Sequence, residues 1–463
     1  MAVCCCLLAT VACEDDLPEA IDSSANFTVL ESIRILNTGE NGDIPVEGTV
    51  DEMTKTVTFP RLDTLTDFGN LMFEAEVSAG AQLERETFDV VFEEGDTETT
   101  IVLKVVNAPR FREYLTTLRL KVPVYGADFS NPTVYDYSAN ELGNPAYASF
   151  TGLATRGTGF DGEQVLVVSR DATGLHVLDV EDLKNNTVNP IPLNTTGVEG
   201  GTFTWNMGAR INGHTYVTNL STDPSQAVRL YHWTDPAQAP DVVASIVPED
   251  LSGAGSRHGD NFSISLDSEG NGFAYWISQG TEVIRAQIEN YTQLVDQRVI
   301  NTAVAYGQWS SFIQVEGTDA YLLTGNTQPI SVVNALGSVS YTMPAGAVPT
   351  NASDARVVHF NGERYLLVVT VPRSPGETGV LQVYNITAGQ DIVSALTSFA
   401  QRDNRSPIFE HLLNGSPNAA PASQTGFHII KDEEGNDDTL VLYGAVADGG
   451  FAVIEVPKNV AED

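Results

Sequence analysis

One pattern recurs six times between about Gly152 and Val456: an apolar strand, a polar loop, then a second apolar strand. The clearest of the second strands are His176-Val-Leu-Asp-Val180, Val228-Arg-Leu-Tyr-His-Trp233, Val283-Ile-Arg-Ala-Gln-Ile288, Ile330-Ser-Val-Val-Asn334, Val380-Leu-Gln-Val-Tyr-Asn385 and Phe451-Ala-Val-Ile-Glu-Val456. Their starts are spaced by 52, 55, 47, 50 and 71 residues. A period near fifty, built of short strands without helical periodicity, predicts a six-bladed β-propeller with about four strands per blade. The last interval is the longest, and its excess is assigned to a surface insertion over Arg405–Thr425 rather than to a seventh blade.

Hairpin tips are explicit at Phe160-Asp-Gly-Glu163, Asn212-Gly213, Asp267-Ser-Glu-Gly-Asn-Gly272, Asn361-Gly362 and Asp432-Glu-Glu-Gly-Asn436. Asn-Gly pairs accept positive φ and close tight hairpins. The acidic tips lack the ligand spacing and terminal glutamate of a calcium loop, so they read as solvated turns and no metal is expected.

Upstream, residues 27–124 alternate polar and apolar positions in short runs such as Ser32-Ile-Arg-Ile-Leu36, Leu71-Met-Phe-Glu-Ala-Glu-Val77 and Thr100-Ile-Val-Leu-Lys-Val-Val106. About seven such strands in a hundred residues predict an immunoglobulin-like β-sandwich, a module that usually serves as a spacer. The whole chain is therefore expected to be all-β: a sandwich over 27–124, a linker over 125–145 rich in Asn, Pro and Tyr, and a propeller over 146–458.

Charge narrows the partners. Aspartate and glutamate number 61 against 24 lysines and arginines, a formal charge of -37. Such a surface repels phosphate backbones and anionic headgroups, which argues against nucleic acid and against direct membrane binding. All four cysteines, Cys4, Cys5, Cys6 and Cys13, fall in the first thirteen residues, leaving the rest without disulfide, thiolate metal site or cysteine nucleophile. They sit in an uncharged apolar run too short to span a bilayer, followed by small Ala12, then Cys13, then Glu14-Asp-Asp16.

That junction resembles a bacterial lipobox, in which cleavage leaves the cysteine as a lipidated N-terminus. The residues after it are similar to the acidic export signal of Bacteroidetes surface lipoproteins. The run lacks a basic n-region and carries Thr10 where leucine is commoner. On this reading residues 1–13 are a signal peptide ending in lipidated Cys13, residues 14–26 are a flexible tether, and the protein faces the exterior of the outer membrane, attached through lipid only.

Two stretches go beyond a generic propeller: Gly213-His-Thr-Tyr-Val-Thr-Asn-Leu-Ser221 leading to Arg229-Leu-Tyr-His-Trp-Thr-Asp-Pro236, and Arg257-His-Gly-Asp-Asn-Phe-Ser-Ile-Ser265 followed by Gly270-Asn-Gly272. With the lipobox and the N-terminal strands, they make the chain resemble DUF4623-type lipoproteins of Bacteroidetes. The resemblance implies a cell-surface propeller linked to nutrient capture, and supplies no catalytic residues.

The strand that should line the channel precedes each quoted pair. The segments leading into it offer Trp205, Arg257, His258, Asp260, Gln308, Trp309, Asp354 and Arg356 to one funnel. Aromatic faces with planar hydrogen-bonding groups suit a sugar. The alternative is that the same residues pair charges between blades and fill inter-blade cores. Asp260 and Asp354 are weak candidates for acid/base glycoside hydrolysis. No nucleophile elbow, metalloprotease helix, Walker loop or dinucleotide fingerprint is present, and no cofactor is expected. Three functions stand: binding of an extracellular ligand such as a glycan, or of an outer-membrane transporter partner in nutrient uptake; polysaccharide cleavage; and a pure scaffold.

Overall fold

A computed structural model describes residues 27–93, 96–138, 147, 155–277, 280–307, 309–325, 328–372, 377–415 and 422–460. Cys13, and with it the expected lipid attachment, lies outside the described residues, as does Gln308. The chain divides into two compact units, one of the residues up to Val124 together with Val460 and the other running from Tyr125 to Asn459.

In the first unit, period-two patterning does what it should. Along Leu30–Thr38, Ile33 and Ile35 are buried while Arg34 points outward to Glu74, its registered partner on the neighbouring strand. The expected immunoglobulin-like sandwich is not confirmed. All eight strands join one curled sheet instead. The short strand Thr56–Thr58 is the reason: it pairs antiparallel with Ile44–Asp51 on one side and parallel with Arg110–Arg119 on the other. It thereby bridges strands that a sandwich would assign to separate sheets. The core of this unit holds Ile33, Ile35, Val57, Phe59, Phe73, Leu103 and Leu118. Tyr114 sits among them, accepting from the Leu30 amide at 2.9 Å and donating to Glu52 at 2.6 Å.

The second unit is a six-bladed propeller of four-stranded antiparallel sheets. The apolar runs that revealed the repeat are the third strands of the six blades. They read as near-continuous apolar segments because each blade is buried on both faces; in Leu175–Asp179 the first four residues are all buried. Cores fill the seams between blades: Trp276 of blade 3 packs with Met207, Tyr216 and Leu230 of blade 2. Tips form where Asn-Gly allows them, with φ of 50° and 80° at Asn212-Gly213, and 44° and 76° at Asn361-Gly362.

The first strands line the channel: Thr155–Phe160, Phe203–Ile211, Ser263–Leu266, Ser311–Gln314, Ala352–Phe360 and Ser423–Lys431. Each meets the first strand of the next blade, closing the ring. Between blades 1 and 2 the approach is so close that side chains are excluded. A Cβ at Gly157 would lie 2.7 Å from the Met207 Cα, and one at Gly159 2.6 Å from the Arg210 amide nitrogen.

Two segments differ from expectation. Thr133–Asp136, inside the stretch read as a linker, is the outer strand of blade 6, paired antiparallel with Gly450–Pro457. The ring is thus sealed by strands from both ends of this unit, and four residues among asparagines and prolines were too few to show a period. The long last interval is also built differently. Its extra length includes the helix Ile392–Ala400, capped by Asp391, and Phe409–Leu413 is the fourth strand of blade 5 rather than part of an insertion.

Candidate functional site

The two ends of the channel have different chemistry. At the N-terminal ends of the first strands, polar contacts run from blade to blade around the whole ring. The Thr155 amide of blade 1 donates to Asp448 of blade 6 at 3.1 Å. Arg170 of blade 1 donates to Asn206 of blade 2, whose amide donates to the Gly259 carbonyl at 2.5 Å. Ser310 N–H donates to Asn261 at 2.9 Å, Thr324 to the Ser353 carbonyl at 3.0 Å, and Ser353 pairs with Ser423 at 2.5 Å. These bonds join blades 3 to 4, 4 to 5 and 5 to 6.

Most of the residues singled out in the sequence belong to this seal. Trp205 is half-buried in the seam between blades 1 and 2, and its indole N–H donates to the Ser169 carbonyl at 2.8 Å. Arg257 and Asp260 pair with each other, with Nη2 3.0 Å from Oδ1. His258 is fully buried; its backbone pairs both ways with Ser221 at 2.9 Å, and burial holds its imidazole below the usual histidine pKa. Trp309 is half-buried immediately before the first strand of blade 4. Arg170 lies over the Phe203 ring at 3.5 Å, and burial, with repulsion from Arg156, pushes its pKa down to about 10.

The opposite half of the channel opens into a cavity of about 480 Å³. Its wall is built from the C-terminal halves of the first strands and the hairpins that follow them. Phe160, Phe262 and Phe427 supply aromatic surface; Asn212, Gln314, Gln424 and Thr425 supply uncharged polar groups. Asp161 and Arg210 border it as an ion pair, Nη2 to Oδ2 at 2.8 Å, with both side chains 4% exposed. Of the seven described residues named from sequence, Arg356 alone borders the cavity.

Asp354 and Arg356 share a face of the first strand of blade 5, as period-two alternation requires. Asp354 accepts from the Thr425 amide and from its hydroxyl at 2.6 Å, so its Oδ2 is committed to the seam with blade 6. Arg356 Nε donates to the Thr425 carbonyl at 2.8 Å and approaches its hydroxyl at 3.1 Å. Burial lowers the arginine's pKa, and the nearby Asp354 carboxylate partly offsets that.

The structure therefore does not bring Asp260 and Asp354 together over the cavity; neither borders it. Among the described residues no cluster of three or more His, Cys, Asp or Glu side chains is arranged to hold a metal ion. Asp161, Arg210, Gln314, Gln424 and Phe427 were missed in the sequence. One signal pointed to two wall residues: Arg210 and Arg356 each interrupt a short run of small or apolar residues within a first strand, in Gly-Ala-Arg-Ile211 and Ala-Arg-Val-Val358.

Fold and channel define a six-bladed propeller protein with a small-molecule-sized cavity at one end of its axis. The chain belongs to the family described as Domain of unknown function (DUF4623), which matches residues 15–459. It is similar to the crystal structure of a DUF4623 family protein from Bacteroides eggerthii, with 39% identity, a TM-score of 0.79, and coverage of 94% of this chain and 100% of that one. Two others are far more distant. A GH43_1 enzyme from Xanthomonas citri complexed with xylose has 12% identity and a TM-score of 0.30, covering 48% of this chain and 84% of that one. A quinonprotein alcohol dehydrogenase-like protein from Bacteroides thetaiotaomicron has 12% identity and a TM-score of 0.30, covering 67% and 88%. Comparison with curated proteins finds no match.

Proposed function

We propose that this protein is a non-catalytic cell-surface binding protein that takes a small extracellular ligand, best a saccharide, into the channel cavity. The observation that carries the reading is the cavity itself. At about 480 Å³ it falls in the range of small-molecule sites. Its wall alternates aromatic rings with amide, hydroxyl and guanidinium groups, and sugars present apolar ring faces edged by hydroxyls. The address rests on the Cys13 junction, with acylation holding the protein outside the cell. A transporter of a nutrient-uptake system is the partner this placement would serve.

Polysaccharide cleavage has less support, because neither of its two carboxylate candidates borders the cavity: Asp260 pairs with Arg257, and Asp354 accepts from Thr425. Retention on a panel of immobilised oligosaccharides, repeated with Phe427→Ala, tests the binding reading. Selective retention that weakens in the variant supports it; identical passage over every glycan refutes it. Release of reducing ends from any panel member, lost in Asp260→Asn or Asp354→Asn, would install the enzyme instead. Incorporation of a labelled fatty acid that disappears in Cys13→Ala tests the anchor.

A further inference from the structure

We infer that the ligand of this cavity carries a carboxylate, as an acidic sugar does, and that Arg356 grips it; the inference rests on the binding function proposed above. The argument is a charge census of the cavity wall. Arg210 is neutralised by Asp161 and donates its remaining Nη1 to Thr215 at 2.7 Å. Lys431 is paired with Asp437. Arg356 differs: among the described residues its guanidinium makes hydrogen bonds only through Nε, both to Thr425, and no ion pair. Its two terminal nitrogens are left without a protein acceptor on the wall of a cavity large enough for a ligand.

The neighbouring Asp354 carboxylate offsets part of the charge, but its Oδ2 accepts from the Thr425 amide and hydroxyl rather than from the terminal nitrogens of Arg356. The remaining acid on the lining, Glu316, is exposed at the rim and bonded to none of these cations. A planar fork with free terminal N–H groups on a cavity wall matches a carboxylate's two oxygens. Lysine in this place would offer a point charge without that geometry. A chain of formal charge -37 thus keeps a cationic fork on the wall of its channel cavity, where the surrounding protein screens it less than water would.

The test is calorimetric titration of the full chain with uronate oligosaccharides, their carboxyl-reduced neutral counterparts, and sulfated analogues. The uronate should bind at least about tenfold more tightly than its carboxyl-reduced partner, the size of a charge-assisted hydrogen-bond pair. In Arg356→Gln that preference should vanish, and in Arg356→Lys it should shrink but persist. Equal binding of acidic and neutral sugars would overturn the carboxylate while leaving the binding function standing. Tighter binding of the sulfated sugar would overturn it as well. Binding of no saccharide would overturn both readings together. Should Arg356→Gln fail to fold, by circular dichroism, the wild-type ratio of acidic to carboxyl-reduced ligand decides alone.

Discussion

Removing either partner of the Asp161–Arg210 pair should destabilise the propeller far more than loss of an exposed ion pair would. Asp161 sits at the first hairpin of blade 1 and Arg210 in the first strand of blade 2, so the pair bolts two blades together at the cavity wall. Its Oδ2 accepts from Arg210 Nε at 2.9 Å, Nη2 at 2.8 Å and the Gly213 amide at 3.2 Å. With both side chains 4% exposed, deleting one partner strands a buried charge, a loss of about 3–5 kcal/mol. Asp161→Ala and Arg210→Met should each lose that much, and the double variant should lose well under the sum, because no orphan charge remains. All four tryptophans, Trp205, Trp233, Trp276 and Trp309, lie in the propeller, so their fluorescence during urea unfolding reports that unit alone. Single losses below about 1 kcal/mol that add in the double variant would refute the reasoning, since that is how an exposed pair behaves.

Gly159→Ala should lower the urea midpoint by the equivalent of about 1–3 kcal/mol, because its Cβ would meet the Arg210 backbone rather than a movable side chain; an unchanged midpoint would show that the first strands can separate freely. Burial, and then repulsion from His214, pushes the His232 pKa from 6.5 down to about 4. The unfolded chain therefore binds the proton first, the stability contributed by neutral His232 is intact above pH 6.5, and it drains away as pH falls toward 4. Between pH 7 and pH 5 the loss should be about 2 kcal/mol, flattened in His232→Phe; an equal loss in the variant would acquit this residue. Ser265→Trp, which fills the cavity from the first strand of blade 3, should abolish glycan retention without lowering the melting temperature greatly, whereas Trp309→Ala at the opposite end should leave retention intact. The reverse pattern would move the site to the sealed end.

The propeller was legible because its blades are buried on both faces, so each third strand is an apolar word repeated at a near-constant interval. The N-terminal unit was legible only in part. Alternation at Leu30–Thr38 marks a strand with one wet face, yet says nothing about which strands pair; the topology turned on Thr56–Thr58, three residues long. Closure by Thr133–Asp136 escaped for the same reason, since a partner more than three hundred residues away leaves no local trace. Position along the first strands was readable, and the segments before Ser263 and Ser311 do stand at one end of the channel. Which end is open was not. Polar residues such as Asn206, Asp260 and Ser310 look alike in sequence whether they meet a ligand or a neighbouring blade, and here Asn206 meets Gly259 and Ser310 meets Asn261.

Crystals of the protein soaked with the tightest-binding oligosaccharide of the panel would put the whole account at risk in one experiment. Sugar density between Gln314 and Thr425, with an acidic group against the Arg356 fork, is the predicted result. Density beside Trp205 and Trp309, with the cavity filled only by solvent, would contradict it.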